Sequence, residues 1–294
     1  MTASFSKIGL IGRGRHENSR ETLQRLLALL SERQVQVFIE PRLAKICPDC
    51  GAAEAGRDEI GERCDLAIVV GGDGSMLSAA RTMAKYGTPL LGVNRGRLGF
   101  LTDISPDEIE ERVSLVLGGE FEREERFLLD VVVVRDGEVI GRADALNDVV
   151  VNSGTSAQMI EFDLYVNDTF VYRQRADGMI ISTPTGSTAY SLSGGGPIMH
   201  PSLDALVLVP MFPHTLSSRP IVVDGNSRLR LEIAEVNSIH PPVTCDGQVN
   251  MTARPGDAVE VFKTPHPMTL IHPPGHDFYA SCRDKLGWGN PLVK

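Results

Sequence analysis

The chain is short of positive charge: 29 lysines and arginines stand against 38 acids, for a net charge of −9. That balance argues against a general binder of nucleic acid or anionic membranes. No apolar run approaches the ~18 residues a membrane span needs. No early stretch joins basic residues, an apolar core and a cleavage site, so a secretory signal is not expected. A cytoplasmic protein with neither membrane nor nucleic acid as partner is the expectation. Cysteine is scarce as well: Cys47, Cys50, Cys64, Cys245 and Cys282 are odd in number and irregularly placed, unlike a disulfide framework. Cys47-Pro-Asp-Cys50 lacks a second CxxC, and only Cys64 is near enough to be a third ligand, so loop thiols are favoured over a zinc or redox motif. His200, His214, His240, His266, His272 and His276 show no metal spacing, and each reads as structural. There is no GxxxxGK[ST] loop, and Gly12-Arg-Gly14-Arg-His-Glu17 lacks the third glycine of a dinucleotide fingerprint. Internal repeats and coiled coils are absent.

What is present suits one large domain or two ordinary ones: 294 residues, 42% hydrophobic and 23% charged. Strand-like Lys7–Ile11 precedes a helix with Asn18 and Glu21 as a capping box and Leu23, Leu26, Leu27 and Leu30 at helical spacing. Val35–Ile39 reads as a strand and residues 41–64 as an irregular excursion. Strands at Leu66–Val70 and Pro89–Val93 flank a helix, and Pro106 opens another that ends at Gly118-Gly119. This alternation indicates a doubly wound parallel sheet, an α/β domain over residues 1–124. From 125 to 274 the character changes to antiparallel and β-rich, sandwich-like. Leu128–Val134, Asp148–Val151, Ile160–Val166, Thr169–Arg173, Met179–Ser182, Leu206–Val209, Ile221–Val223, Leu229–Ile233 and Ala258–Phe262 are strand-like. Asp136-Gly137, Asn167-Asp168 and Asp224-Gly225 give turn signals. The tail from His276 to Trp288 reads as a terminal helix packed on one of the two domains.

The richest stretch is Asp65-Leu-Ala-Ile-Val-Val-Gly-Gly-Asp-Gly-Ser-Met-Leu77. A buried strand runs into Gly71-Gly72-Asp73-Gly74, with Ser75 placed to cap the next helix. Such a turn lets backbone N–H groups approach a phosphate. Asp73 in its middle would repel a phosphate, so the acid needs another reason to be there. Holding Mg²⁺ or taking a proton from an attacking hydroxyl are the two candidates. An ordinary βα turn with Asp73 on the surface fits the loop alone equally well. Asp177 to Gly196 is the second such stretch. Thr183-Pro-Thr-Gly-Ser-Thr188 crowds hydroxyls at an expected helix N-terminus, where ligand binding is favoured over mere capping. Tyr190 is placed to stack on a base. Asn147-Asp148 would suit an adenine edge and a ribose diol, although a β-turn explains the pair alone. Arg173, Arg175 and Asp177 alternate, so they share a face if the strand is regular; a diphosphate site and a solvated face fit equally. Asn94-Arg-Gly-Arg-Leu-Gly-Phe100 brings two arginines to the C-terminal edge of the sheet.

In this order, Gly71–Gly74, Asn94–Leu101, Asn147-Asp148, Asp177-Gly178, Thr183–Tyr190, Gly194-Gly-Gly-Pro197 and Pro213-His-Thr-Leu-Ser-Ser-Arg-Pro220 resemble bacterial NAD kinase over nearly the whole chain. The resemblance implies ATP-dependent phosphorylation of the adenosine-ribose 2′-hydroxyl of NAD, with Mg²⁺ or another divalent cation, in a homo-oligomer, and a chain end, residues 275–294, that returns to complete the first domain. By matching, Asp73 is the catalytic acid/base, flanked by Gly72 and Gly74 as nucleotide contacts. The other nucleotide contacts are Asn147, Asp148 (Glu in many members), Gln158 (His in many), Arg175, Asp177, Thr188, Ala189, Tyr190, Ser191, Ser193 and Gln248. A phosphofructokinase would carry a second segment of the Thr-Ile-Asp-Asn-Asp kind, which is absent. A lipid kinase would want an apolar cleft or a basic face, against the charge balance. A non-catalytic dinucleotide sensor would be free to lose Asp73.

Overall fold

Short apolar runs, bounded by glycine, proline and charged turns, become strands along the whole chain. The computed structural model describes residues 5–12, 18–48, 51–95, 99–154 and 158–288, and all statements below concern these. The path begins β1 (Lys7–Gly12), α1 (Asn18–Glu32), β2 (Gln36–Ile39), α2 (Pro41–Ala44), β3 (Ala53–Glu54), α3 (Arg57–Arg63), β4 (Leu66–Val70), α4 (Asp73–Met83), β5 (Leu90–Val93), α5 (Ile109–Leu117) and β6 (Glu122–Arg126). It continues through β7 (Leu129–Arg135), β8 (Glu138–Ala145), β9 (Asp148–Asn152), β10 (Ile160–Val166), β11 (Thr169–Ala176), β12 (Gly178–Ser182) and α6 (Tyr190–Ser193). It then runs through β13 (Ala205–Met211), β14 (Ile221–Asp224), β15 (Leu229–Ile233), β16 (Pro242–Cys245), β17 (Val249–Thr252) and β18 (Ala258–Lys263). β19 (Met268–His272) and α7 (Phe278–Leu286) close it.

Two compact units result: Met1–Glu125 with Met268–Lys294, and Arg126–Pro267. The expected return to the first domain at residue 275 therefore comes earlier, at Met268. The reason is pairing: β19 lies parallel to β5 through Leu270↔Leu90 and Ile271↔Leu91, inside the first unit's sheet. That seven-stranded sheet has the order β3-β2-β1-β4-β5-β19-β6. Strand alternation divides the layers. Ile8, Leu10, Leu66, Ile68 and Val70 face Leu23, Leu26 and Leu30 of α1 and Val113 and Val116 of α5. Gly9 points the other way, towards α3, where a Cβ would stand 2.2 Å from Ile60 Cγ2. Helices on both faces make the sheet doubly wound, as expected.

The stretch 41–64 is not the irregular excursion its composition suggests. Glu40, buried at the end of β2, accepts from the Gly12 N–H at 3.0 Å and from Arg57 Nε at 2.9 Å, and Arg57 also donates to Ser78 Oγ at 2.7 Å. One ion pair thus fixes α3 against the ends of two strands and against α4. Cys64 packs near Gly9, and burial, the largest cause, pushes its thiol up to about 12. Cys50 lies outside the described residues, so the CxxC is seen only at buried Cys47.

The second unit is two antiparallel six-stranded sheets, β11-β10-β15-β18-β7-β8 and β14-β13-β12-β9-β16-β17. They share one core that includes Val131, Phe162, Leu231 and Val259 from the first sheet and Val149, Ile181, Leu208 and Val243 from the second. The sandwich expectation holds. Asp136-Gly137 (φ 51° and 82°) and Asn167-Asp168 (φ 49° and 61°) are left-handed at both central positions, the geometry of tight hairpins. β3, β6, β8, β16, β17 and β19 are strands that the sequence pattern does not announce; Glu122-Arg-Glu-Glu-Arg126 is wholly charged, as a sheet edge tolerates.

The close approach of α3 to β1 rests on the missing side chain at Gly9. Gly9→Val should cost about 1–3 kcal/mol, as overpacking of a tight core does. Thermal unfolding of the variant should shift downward by several degrees, and an unchanged midpoint would refute the packing argument.

Candidate active site

At the C-terminal edge of the parallel sheet, Gly12, Val70 and Val93 end their strands in register. Gly71 N–H donates to Val93 O at 2.9 Å, so the glycine turn starts beside the end of β5. Gly72, with extended backbone (φ −92°, ψ −172°), holds the capping position of α4, and its carbonyl accepts from Ser75 and Met76 N–H. Asp73 is the first helical residue. Ser75, expected as the cap, lies buried inside the helix instead, its hydroxyl packed where a Cβ on Gly71 would be. A Cβ on Gly72 would meet nothing within 4 Å, so packing does not demand a glycine there. The position instead leaves an open approach to the helix amides.

Both oxygens of Asp73 are engaged from one loop. Phe100 N–H donates to Oδ2 at 2.9 Å and Leu101 N–H to Oδ1 at 3.0 Å. Gly99 is indispensable to this contact, since a Cβ there would sit 1.8 Å from Asp73 Oδ1. Gly99 N–H and Asn94 Nδ2 both donate to Thr102 Oγ1 at 2.9 Å, which closes the loop on itself. By sequence, Asn94–Leu101 stands out for its arginines. Arg97 lies outside the described residues, and the described contribution of the segment is a backbone cradle for Asp73. The glycine before two apolar residues is the sequence signal for that cradle.

In the second unit the structure brings one group together. Asp246, in the β16–β17 turn, accepts from Asn147 N–H at 2.7 Å and Leu146 N–H at 3.1 Å, and its own N–H donates to Asp148 O at 2.9 Å. Gln248 lies in the same turn, and Asp148 stands opposite Ser182. The hydroxyls of 183–188 are largely consumed locally. Thr183 Oγ1 donates to Leu146 O at 2.6 Å, Ser187 Oγ to Pro184 O at 2.7 Å and Thr188 Oγ1 to Thr185 O at 3.4 Å. The expected helix N-terminus is also missing: a 3₁₀ turn, Thr185–Thr188, meets a four-residue α6 at Ala189. The turn packs so closely on residue 147 that a Cβ on Gly186 would stand 2.1 Å from Asn147 O, which explains why the chain cannot run straight into a long helix.

Three polar groups here lack a hydrogen-bond partner. Asn147 Oδ1 and Ser191 Oγ are buried and unpaired, and none of the described residues donates to the Asp148 carboxylate, which is 4% exposed. Burial, followed by the charge of Asp246, pushes Asp148 up to about 7. Buried polar groups are ordinarily satisfied, so a cluster left open points to a ligand.

Asp177 stands at the opposite end of β12, where Gly178 pairs with Asn152, Arg175 lies across from Glu161 of β10, and Gln158 precedes β10. Five strand steps of ~3.3 Å separate Asp177 from Ser182. Arg173 is held by Asp163 through two bonds of 2.7 and 2.6 Å, so it is no free anion ligand; Arg175 lies in β11 and Asp177 just beyond its end. Exposed Tyr190, with Ser193, lines a cavity of about 480 Å³ with Ile180, Met211 and Phe212.

A glycine turn bearing a cradled acid and a sandwich with open buried polar groups have the make-up of a nucleotide-handling phosphotransferase. Residues 8–121 match the model of the ATP-NAD kinase N-terminal domain, and residues 146–273 that of the ATP-NAD kinase C-terminal domain. The chain is 57% identical over 288 residues to the NAD kinase of Chromohalobacter salexigens and 56% identical over 287 to that of Teredinibacter turnerae, with 98% of this chain and 98% of each relative covered. Yeast NADH kinase complexed with NADH superposes with a TM-score of 0.89 at 25% identity, covering 98% of this chain and 90% of that one. The NAD kinase of Archaeoglobus fulgidus in complex with ATP shares the fold at a TM-score of 0.69 and 24% identity, covering 96% of this chain and 97% of that one. The chain belongs to the NAD kinase family.

The raised Asp148 has a signed consequence. Between the unfolded carboxylate's ordinary value of ~3.9 and about 7, the folded state holds a proton that the unfolded state has released, so stability falls as pH rises. Asp148→Asn removes that cost. Its melting temperature should exceed wild type by a margin that widens from pH 4 to 7 and then levels. A margin that does not change with pH would refute the burial argument.

Proposed function

We propose that the protein transfers the γ-phosphoryl group of ATP to the 2′-hydroxyl of the adenosine ribose of NAD, giving NADP. The observation that carries this reading is Asp73, set in a glycine turn at a helix N-terminus with its carboxylate held by two backbone amides. Each oxygen accepts one N–H and retains a further lone pair. That capacity serves to orient the ribose hydroxyl and to receive its proton late in a loose transition state. Amides of the turn and of α4 stabilise phosphoryl charge without a P-loop lysine. Asn147, Asp148, Ser191 and Gln248 take the ribose and base, Asp148 through a carboxylate that no described residue donates to, and Gly74 and Thr188–Tyr190 complete the contacts. Arg175, Asp177, Gln158 and Ser193 meet the remainder of the dinucleotide.

Mg²⁺ or another divalent cation enters with ATP as part of the donor. Asp73 with its spare lone pairs fits a cation carried by phosphates and water, as small hard cations prefer, rather than a cage of protein ligands. Bound with ATP, the ion would supply screening of the phosphate charges. Buried free thiols at Cys64 and Cys282 support action in the reducing cytoplasm. Among the described residues no helix is long and apolar enough to cross a membrane.

The test is NADP formation from ATP, Mg²⁺ and NAD, read with an NADP-specific dehydrogenase. Wild type should form NADP, and Asp73→Asn should remain folded and lose ~10²–10⁴-fold in kcat, the usual worth of a positioned base. Near-normal turnover by the variant would remove Asp73 as the base, and NAD binding without turnover by wild type would favour a sensor.

The assembly is a homo-oligomer in this reading. Phe212 (77% exposed), Leu216 (98%) and Val222 (53%) form apolar surface in and beside the β13–β14 connection, which a second copy would cover. Light scattering should show an assembly larger than a monomer that Leu216→Asp reduces in size. A monomeric wild type at micromolar concentration would overturn it.

A further inference from the structure

The histidines at the end of β19 are absorbed by none of the roles above. His272, 2% exposed, touches a carboxylate with each ring nitrogen: Nδ1 contacts Asp103 Oδ2, and Nε2 lies 3.1 Å from Glu124 Oε2 of β6. Carboxylates only accept, so both nitrogens donate and the ring is a cation. Burial alone would lower its pKa, but the hydrogen bonds and charges of Asp103 and Glu124 outweigh that and hold it at about 9. Asp103 is half-buried, and although desolvation would raise it, its bonds to His272 and His276 keep it well below the usual carboxylate range. His276 stacks on His272 at 3.8 Å between centroids, and its Nδ1 is 3.2 Å from Asp103 Oδ1.

Ligand atoms of Asp103, His272 and His276 lie within 4.8 Å of one another, close enough to suggest a metal. Two features argue against one. His272 Nδ1 meets Asp103 directly, and rings only 22° from parallel send their lone pairs side by side instead of to one point.

The position of Asp103 is what matters. It follows the loop that cradles Asp73: Phe100 and Leu101 supply the two amides, and Thr102 ties that loop to Gly99 and Asn94. On its far side Ile104 O accepts from Asn94 N–H at 2.8 Å. The geometry points to His272 as a positioning residue for the phosphoryl transfer, clamping Asp103 so that the amides of Phe100 and Leu101 hold Asp73 in line with the acceptor hydroxyl. This rests on Asp73 being the base. The groups that face the clamp are Asp103, Glu124 and His276. Beyond them Arg112, Asp277, Asp284 and Lys285 line a cavity of about 500 Å³ that Asp103 and His276 also border. Arg112 Nη1 donates to Pro274 O at 3.0 Å, which steadies the segment between the two histidines from α5.

The experiment compares wild type, His272→Gln, Asp73→Asn and the double variant in NADP formation over pH 6–10. His272→Gln should lower kcat roughly tenfold, within the loss that a displaced catalytic group produces, while KM for ATP and NAD moves less than twofold. Wild type should lose kcat as pH rises through about 9, where the clamp loses its proton, and His272→Gln should lack that limb. In the Asp73→Asn background the second substitution should add nothing. Unchanged kcat in folded His272→Gln, or a full multiplicative loss in the Asp73→Asn background, overturns the clamp. So does one equivalent of Zn²⁺ bound in calorimetry and lost in His276→Ala. Near-normal kcat in Asp73→Asn alone instead removes the base on which the proposal depends, a separate failure. If His272→Gln does not fold, Asp103→Asn, which keeps a neutral hydrogen bond, carries the same comparison and the same outcomes.

Discussion

Two hydrogen bonds from backbone amides to one carboxylate organise the first unit's chemistry. A side chain at the first position of a helix is ordinarily free to sample rotamers in solvent. Phe100 and Leu101 remove that freedom from Asp73. The contact requires β4 and β5 to lie side by side so that their ends are neighbours. It also requires glycine at 99, because any larger residue would displace the carboxylate. An acid held by amides is oriented by groups that carry no net charge and cannot be titrated away, so its direction is a property of the backbone. Preorganisation of this kind is where catalytic advantage arises, since no reorientation is needed as charge moves.

The second unit follows the opposite rule. Asn147 and Ser191 keep buried atoms without partners, and Asp148 sits beside another acid, Asp246, in a place that disfavours its charge. Each feature lowers the stability of the free protein, and a core built only for stability would have filled or neutralised them. They persist beside a tightly interlocked turn, Thr183–Thr188, whose hydroxyls are nearly all satisfied. The contrast within a few residues separates groups that build the site from groups that await a ligand. A local failure of the folding rules is where function is to be sought.

Much of this is legible in the chain. The apolar run into Gly71–Gly74 yields strand, turn and acid together, and Asp136-Gly137 and Asn167-Asp168 announce hairpins by their tolerance of left-handed backbone. What stays hidden depends on distant pairs. Residues 41–64 look irregular because their order comes from Glu40 meeting Arg57, a contact no periodicity encodes. β6 is all charge, so only its place at a sheet edge makes it a strand. β19 reads as part of the β-rich region by composition and joins the parallel sheet only through β5. Ser75 and Ser187 have the chemistry of caps, but tertiary packing moves the helix start in one case and shortens the helix in the other. His272 and His276 show no ligand spacing because their partner, Asp103, lies 169 residues before the first of them.

The charge balance gains meaning from these sites. A chain of net charge −9 that handles polyanions has little long-range attraction to offer them. Several arginines are already committed within the sandwich: Arg135 to Asp257, Arg142 to Asp130, Arg173 to Asp163 and Arg228 to Glu260. Further positive potential for phosphate comes from groups that carry none in the count, namely the amides of a glycine turn and of a helix N-terminus. Such donors act over a few ångströms and only on a ligand already in place. Recognition in this chain is therefore a matter of close fit, and that is why so much of the first unit serves to fix the position of one aspartate.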